Sequence, residues 1–182
     1  MFPIGTVARW QSPESTRLPT RLAGWLLDSG SLTAKIKALN PEFAVRVLGQ
    51  TEGIAEPCEY AALQIPEEPV TIREVLLYSA GSALVFARSI LPHQRLAANP
   101  ELTSLGNQPL GEHLFTRTDT IPGPIEIAPF APDSGAGRLN TALHANTQSL
   151  WGRRRVFDIA GTRILVSEVF LSATDCYADS SK

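Results

Sequence analysis

Residues 70–92, VTIREVLLYSAGSALVFARSILP, constrain the fold more than any other stretch. Two apolar runs flank the small residues Ser79, Ala80, Gly81 and Ser82, a pattern that predicts two strands joined by a hairpin turn. Each strand carries one arginine, Arg73 in the first and Arg88 in the second. With the turn centred on Ala80 and Gly81, residues whose numbers sum to about 161 face each other, which makes Arg73 and Arg88 cross-strand neighbours. Two like charges on a mostly apolar face repel and resist desolvation, so an anion is expected between them. Arginine suits that task, because its planar fork binds a carboxylate through two parallel hydrogen bonds and stays charged at any relevant pH. The competing account pairs each arginine with a nearby acid such as Glu74, or extends it to solvent. In a regular strand, however, Glu74 points to the face opposite Arg73.

A chain of 182 residues with 43% hydrophobic content fits one domain with a substantial core. Its formal net charge of −2 offers no long-range attraction to nucleic acid or to an anionic membrane, so an anionic ligand must be held by local positive groups. No run of about 18 uncharged apolar residues is present, and the N-terminus lacks the charged start and apolar block of a secretory signal. A cytoplasmic monomer with no membrane insertion and no nucleic-acid partner is expected. Cys58 and Cys176 lie far apart without CxxC spacing and read as free thiols. His93, His113 and His144 have no cysteine or second histidine at ligand spacing, so no metal is expected.

Residues 1–17 are polar and proline-containing, and are expected to be extended or partly disordered, ahead of a domain over 18–182. Leu22, Trp25 and Leu26 predict a short helix broken at Ser29–Gly30, and Ser31 is an apt N-cap for a second with Leu32, Ile36 and Leu39 on one face. Alternation from Phe43 predicts a strand ending at Gly49, followed by a proline-bearing connection over 51–69. Pro100 opens a brief helix that Gly106 stops. PLGEHLF predicts another with Leu110, Leu114 and Phe115 on one side, and its N-terminal amides can bind a carboxylate. Residues 124–130 read as an edge strand because of their prolines. Residues 131–149, rich in small and polar types, read as a lid or a disordered insertion. A second hairpin closes the chain, with a strand over 151–159, a turn at Ala160 and Gly161, and a strand over 162–171.

In that last strand Ile164, Val166, Glu168 and Phe170 share one face, so Glu168 sits in an apolar row. A carboxylate there needs a partner, since burying a polar group without one costs roughly 2–7 kcal/mol. Arg153, Arg154 and Arg155 lie on the preceding strand, and the turn puts Arg153 opposite Glu168. A structural ion pair and a ligand contact both remain open for Glu168.

Several motifs, in order along the chain, carry a resemblance: LLDSGSLTAKI at 26–36, IREVLL at 72–77, ARSILP at 87–92, QPLGEHLF at 108–115, LWGRRRVF at 150–157 and SEVFL at 167–171. With these the chain resembles the chorismate pyruvate-lyase (4-hydroxybenzoate synthase) family of bacterial ubiquinone biosynthesis. The resemblance implies an α+β fold, a single antiparallel sheet of about six strands with helices packed on it, enclosing a small ligand cavity. It also implies elimination of pyruvate from chorismate to leave 4-hydroxybenzoate, with no metal or organic cofactor. The family's carboxylate-binding arginine falls on Arg73, a backbone contact on Leu110, another contact on Leu32, where the family can have methionine, the acid at the 4-hydroxyl end on Glu168, and the second hairpin arginine on Arg88. On this reading Arg73, Arg88 and Glu168 are catalytic, and Leu32, Arg73, Leu110 and Glu168 bind substrate. The alternative is a non-catalytic effector-binding domain of the same fold, as found in a class of transcription regulators.

Overall fold

The computed structural model describes residues 1–96 and 98–178. Its centre is one antiparallel sheet: β1 (Phe43–Gly53), β2 (Val70–Ser79), β3 (Ser82–Pro92), β4 (Thr120–Pro122), β5 (Glu126–Phe130), β6 (Leu150–Ile159) and β7 (Thr162–Phe170). The spatial order is β1-β2-β3-β7-β6-β4, with β5 also pairing to β6. The single α+β domain expected from the sequence is present, with seven strands among the described residues rather than about six; the addition is the three-residue β4. Strand β1 runs on past Gly49 to Gly53.

Helices cover both faces. On the front lie α1 (Thr20–Leu26), α2 (Leu32–Leu39) and α5 (Leu110–Thr116), whose Leu22, Trp25, Leu26, Leu32, Ile36, Leu110 and Leu114 pack on Val75, Leu77, Ala87 and Val166. On the back lie α3 (Pro57–Leu63) and α6 (Gly135–His144), while α4 (His93–Leu96) follows the end of β3. Double coverage explains why β2 and β3 read as nearly continuous apolar runs instead of alternating ones. Fully buried Phe86 and Phe170 serve opposite faces, each contributing roughly 1.5–3 kcal/mol by leaving water.

Both hairpin turns form where the sequence places them. Ala80 and Gly81 have φ of 48° and 77°, and Ala160 and Gly161 have 50° and 87°, the left-handed pair that matches strand twist in a two-residue turn. The register beyond the first turn differs from the expectation. Ser79 faces Ser82 and Tyr78 faces Ala83, but Leu77 faces Val85, so Leu84 is an extra residue on β3. This bulge moves every later pair by one place: Arg73 faces Ser89, and Arg88 faces Glu74. The bulged Leu84 carbonyl accepts from the Leu171 N–H at 2.8 Å and the Thr174 hydroxyl at 2.6 Å.

One further segment differs from its sequence reading. Residues 131–149, expected as a lid or disordered insertion, contain α6 on the back face. Ser134 caps it by accepting from the Gly137 N–H at 3.0 Å, and Leu139 and Leu143 pack inward. Gly137 leaves no space for a Cβ against the carbonyls of Ala131 and Pro132, so its glycine composition reflects close approach. Residues 1–17, expected to be extended or partly disordered, form an arm docked behind the sheet. Gln11 exchanges two backbone bonds of 2.9 Å with Ile127, and Thr6 is buried.

Candidate active site

The front of the sheet carries two transverse rows of side chains beneath α2 and α5. Gln50, Arg73, Ser89, Val166 and Arg155 are successive partners across β1, β2, β3, β7 and β6. The next row contains Val75, Ala87, Glu168 and Arg153. Two small chambers lie above them. One, of about 20 Å³, is lined by Thr33, Arg73, Ser89, Leu110 and Glu168. The other, also of about 20 Å³, is lined by Leu32, Phe115, Arg153, Arg155 and Glu168. They share Gly111, Val166 and Glu168. The structure therefore brings Leu32, Arg73, Leu110 and Glu168 together around adjoining space.

Arg73 is only 3% exposed, yet no carboxylate bonds to it among the described residues. Its guanidinium donates to the Gly106 carbonyl (2.9 Å), the Gln108 carbonyl (2.9 Å) and Gln50 Oε1 (3.3 Å). Gln50 in turn donates to the Thr103 carbonyl at 2.9 Å, so β1 and β2 hold the segment between Thr103 and Leu110 over the site. Burial pushes the Arg73 pKa below its ordinary value. Leu110 begins α5, whose N-terminus receives no side-chain cap.

Glu168 meets Arg153 as the strand pairing requires, accepting from Nε at 2.7 Å through Oε2. Arg153 Nη1 also donates to the Asp28 carbonyl at 2.6 Å, beyond the C-terminus of α1. The ion pair thus ties the α1–α2 corner to the sheet. The second Glu168 oxygen takes no donor among the described residues, which leaves it available to a ligand. Glu168 thus takes part in an ion pair through one oxygen and lines both chambers.

Arg88 is the correction. The expected Arg73–Arg88 pair does not exist, because the bulge at Leu84 turns Arg88 to the back of the sheet. There it donates to Glu59 (2.7 and 2.9 Å) and to Glu74 (2.9 Å), all three side chains being 3% exposed or less. Burial opposes its charge, and the bonds to Glu59 and Glu74 outweigh that, holding its pKa above the ordinary value. Glu74 also accepts from the Ile4 and Gly5 amides at 2.7 and 2.8 Å. The competing acid-pairing account, with Glu74 as partner, holds for this arginine.

Arg155 was missed as a chamber residue, although alternation from Arg153 would have put it on the Glu168 face. A larger surface groove runs beside α3 and β4, but its charges satisfy one another: Arg163 donates to Gln64 at 2.6 Å and lies 3.8 Å from Asp158. Its arginine has an acid beside it, whereas Arg73 has only neutral acceptors among the described residues. Among the described residues no cluster of His, Cys, Asp and Glu could hold a metal ion, and no helix is long and apolar enough to cross a membrane. Both cysteines are free, and burial pushes the Cys176 thiol up to about 12.

One antiparallel sheet with helices on both faces defines the chain as an α+β domain, and solved structures share that fold. The effector domain of PhnF from Mycobacterium smegmatis superposes with a TM-score of 0.59 at 19% identity, over 79% of this chain and 89% of that one. A GntR-family transcriptional regulator from Bacillus cereus gives 0.55 at 13%, over 73% and 94%. At such identities the likeness concerns the fold alone. Sequence similarity is more specific. The family model described as chorismate lyase matches residues 5–181. A protein of Shewanella amazonensis named "Probable chorismate pyruvate-lyase" is 45% identical over 181 residues, 97% of this chain and 94% of the relative. One of the same name from Idiomarina loihiensis is 40% identical over 178 residues, 97% and 92%. The chain belongs to the chorismate lyase family, and with it to the carbon–oxygen lyases.

Proposed function

We propose that this protein is a chorismate pyruvate-lyase that forms 4-hydroxybenzoate for ubiquinone biosynthesis, working in the cytoplasm as a monomer without metal or organic cofactor. The observation that carries this reading is a buried guanidinium, Arg73, with only neutral oxygens for partners, beside a half-free carboxylate in one closed pocket. The ring carboxylate of chorismate takes the fork of Arg73, displacing the Gly106 and Gln108 carbonyls, with the Leu110 amide as a further donor. Glu168, positioned by Arg153, meets the hydroxyl end of the ring.

The hydroxyl-bearing ring carbon loses its hydrogen, the neighbouring carbon–oxygen bond breaks, and the enolpyruvyl fragment gains a proton on its methylene carbon to leave as pyruvate. Aromatisation supplies the driving force. The pocket's task is to fix a reactive conformer and exclude water, with Glu168 orienting the hydroxyl or assisting proton movement. Arg88, behind the sheet, has no part in these steps.

Purified protein incubated with chorismate in the presence of a chelator should release 4-hydroxybenzoate and pyruvate in equal amounts. Tight binding of 4-hydroxybenzoate with no turnover would overturn the lyase reading in favour of an effector domain. Glu168→Gln is expected to lower kcat by roughly a hundredfold or more and to fold with a somewhat lower melting temperature, because Arg153 loses its counter-charge but keeps an amide oxygen and the Asp28 carbonyl as acceptors. Full activity in a folded Glu168→Gln protein would leave the carboxylate with a structural role only.

A further inference from the structure

Arg155 has no carboxylate partner among the described residues. Its Nε donates to the Gly123 carbonyl at 2.8 Å and its Nη1 to the Ser29 carbonyl at 3.0 Å, and Nη2 donates to none of the described residues. Arg153 and Arg154, its neighbours in sequence, each bond a glutamate, Glu168 and Glu126 respectively. Arg155 therefore repeats the condition of Arg73, a cation capped by neutral carbonyls, in the chamber that adjoins the one Arg73 lines. Both stand in one transverse row, Arg73–Ser89–Val166–Arg155. At about 4.8 Å per strand this places their Cα atoms roughly 14 Å apart, with two long side chains to close the distance.

The charge balance points the same way. The two rows carry three guanidiniums, Arg73, Arg153 and Arg155, against one carboxylate, Glu168, while at the rim Lys35 and Asp28 neutralise each other at 2.9 Å. Two positive charges remain, one at each end of the row. A substrate with a single carboxylate uses one of them. Burial, and then the adjacent charge of Arg153, push the Arg155 pKa below its ordinary value, while Glu168 pulls the other way, so its charge is incompletely compensated. Around it, Phe157 lies 5.8 Å from the guanidinium, and Phe115 and Leu32 line the rest of the chamber.

We propose that Arg155 binds the second carboxylate of the substrate, the one on the enolpyruvyl group, and so sets the pocket's preference for a dianion over the monoanionic aromatic product. The inference rests on the chorismate reading above. The substrate lies along the row, its ring carboxylate on Arg73, its hydroxyl end near Glu168, and the departing three-carbon acid in the chamber of Leu32, Phe115 and Arg155. After carbon–oxygen cleavage the two carboxylates belong to separate molecules, and Arg155 then holds only pyruvate.

The test compares Arg155→Gln with the parent in steady-state turnover of chorismate and in equilibrium binding of 4-hydroxybenzoate, which lacks the enolpyruvyl group. At least a tenfold fall in kcat/KM, carried mainly by KM, with 4-hydroxybenzoate affinity within twofold of the parent, is the expected result. Unchanged kcat/KM, or equal weakening of both ligands, overturns the proposal. Should Arg155→Gln fail to fold, Arg155→Lys gives the readout: a raised KM with unchanged 4-hydroxybenzoate affinity supports the role, and no change in either overturns it. Should the parent leave chorismate intact, the lyase reading fails on its own, and Arg155 is judged by binding. Weaker chorismate binding by the variant than by the parent then supports the assignment, and equal binding overturns it.

Discussion

Arg88→Met is expected to lower the free energy of unfolding by about 3–5 kcal/mol, the usual cost of removing one partner from a buried ion pair. The reason is what the substitution leaves behind. Glu74 is fully buried and Glu59 is 2% exposed, and without the guanidinium neither has a counter-charge among the residues that touch it. Glu74 keeps the Ile4 and Gly5 amides and Glu59 keeps the Glu56 amide, so the loss is partial and the arm and α3 loosen together. For a chain of this length such a loss corresponds to a melting temperature lower by about 6–20 °C. Turnover per folded molecule should stay near the parent's, which separates this scaffold role from a catalytic one. Adding Glu59→Gln and Glu74→Gln should recover part of the stability, because the stranded charges go with the guanidinium. A melting curve matching the parent's would contradict the buried cluster.

Arg73→Ala should have the opposite profile. Each charged hydrogen bond withdrawn from the substrate carboxylate is worth about 1.5–3 kcal/mol, so losing the fork should cut kcat/KM at least tenfold, and more if both bonds are lost. Affinity for 4-hydroxybenzoate should fall with it, since the product keeps the same ring carboxylate. Stability should change less than in Arg88→Met, because Arg73 leaves behind two backbone carbonyls and an amide oxygen, all neutral. Parent-level formation of 4-hydroxybenzoate by Arg73→Ala would refute the assignment. The two arginines of one hairpin are thus distinguished by which measurement moves.

Much of this was legible in the sequence because it depends on short-range rules. Small residues at 79–82 and at Ala160–Gly161 specify turns, strand alternation puts Glu168 across from Arg153, and Ser31 caps α2 by accepting from the Ala34 N–H at 3.2 Å. Three features depended on distant groups. The helix at 135–144 reads as a loop because Gly135 and Gly137 have poor helix propensity, and only contact with Ile4, Ala131 and Pro132 explains them. Burial of Arg88 depends on Glu59, an acid 29 residues away in a connection that looks irregular. The faces of Arg73 and Arg88 depend on Leu84, which nothing in the local pattern VLLYSAGSALVF marks as unpaired. That single residue accounts for the one misplaced member of the candidate site.

Hairpin tips are ordinarily where a protein can gain or lose a residue at little cost. Here the segment next to the tip behaves like a reading frame. Counted with Leu84, the hairpin delivers one arginine to the pocket and the other to its acids; counted without it, the two arginines become cross-strand partners on one face, and Glu59 and Glu74 would stand behind the sheet without their cation. The frame is held from the far end of the chain, through the bonds of Leu171 and Thr174 to the Leu84 carbonyl. Chain length close to this turn is therefore under a constraint that belongs to chemistry at the opposite end of the strands.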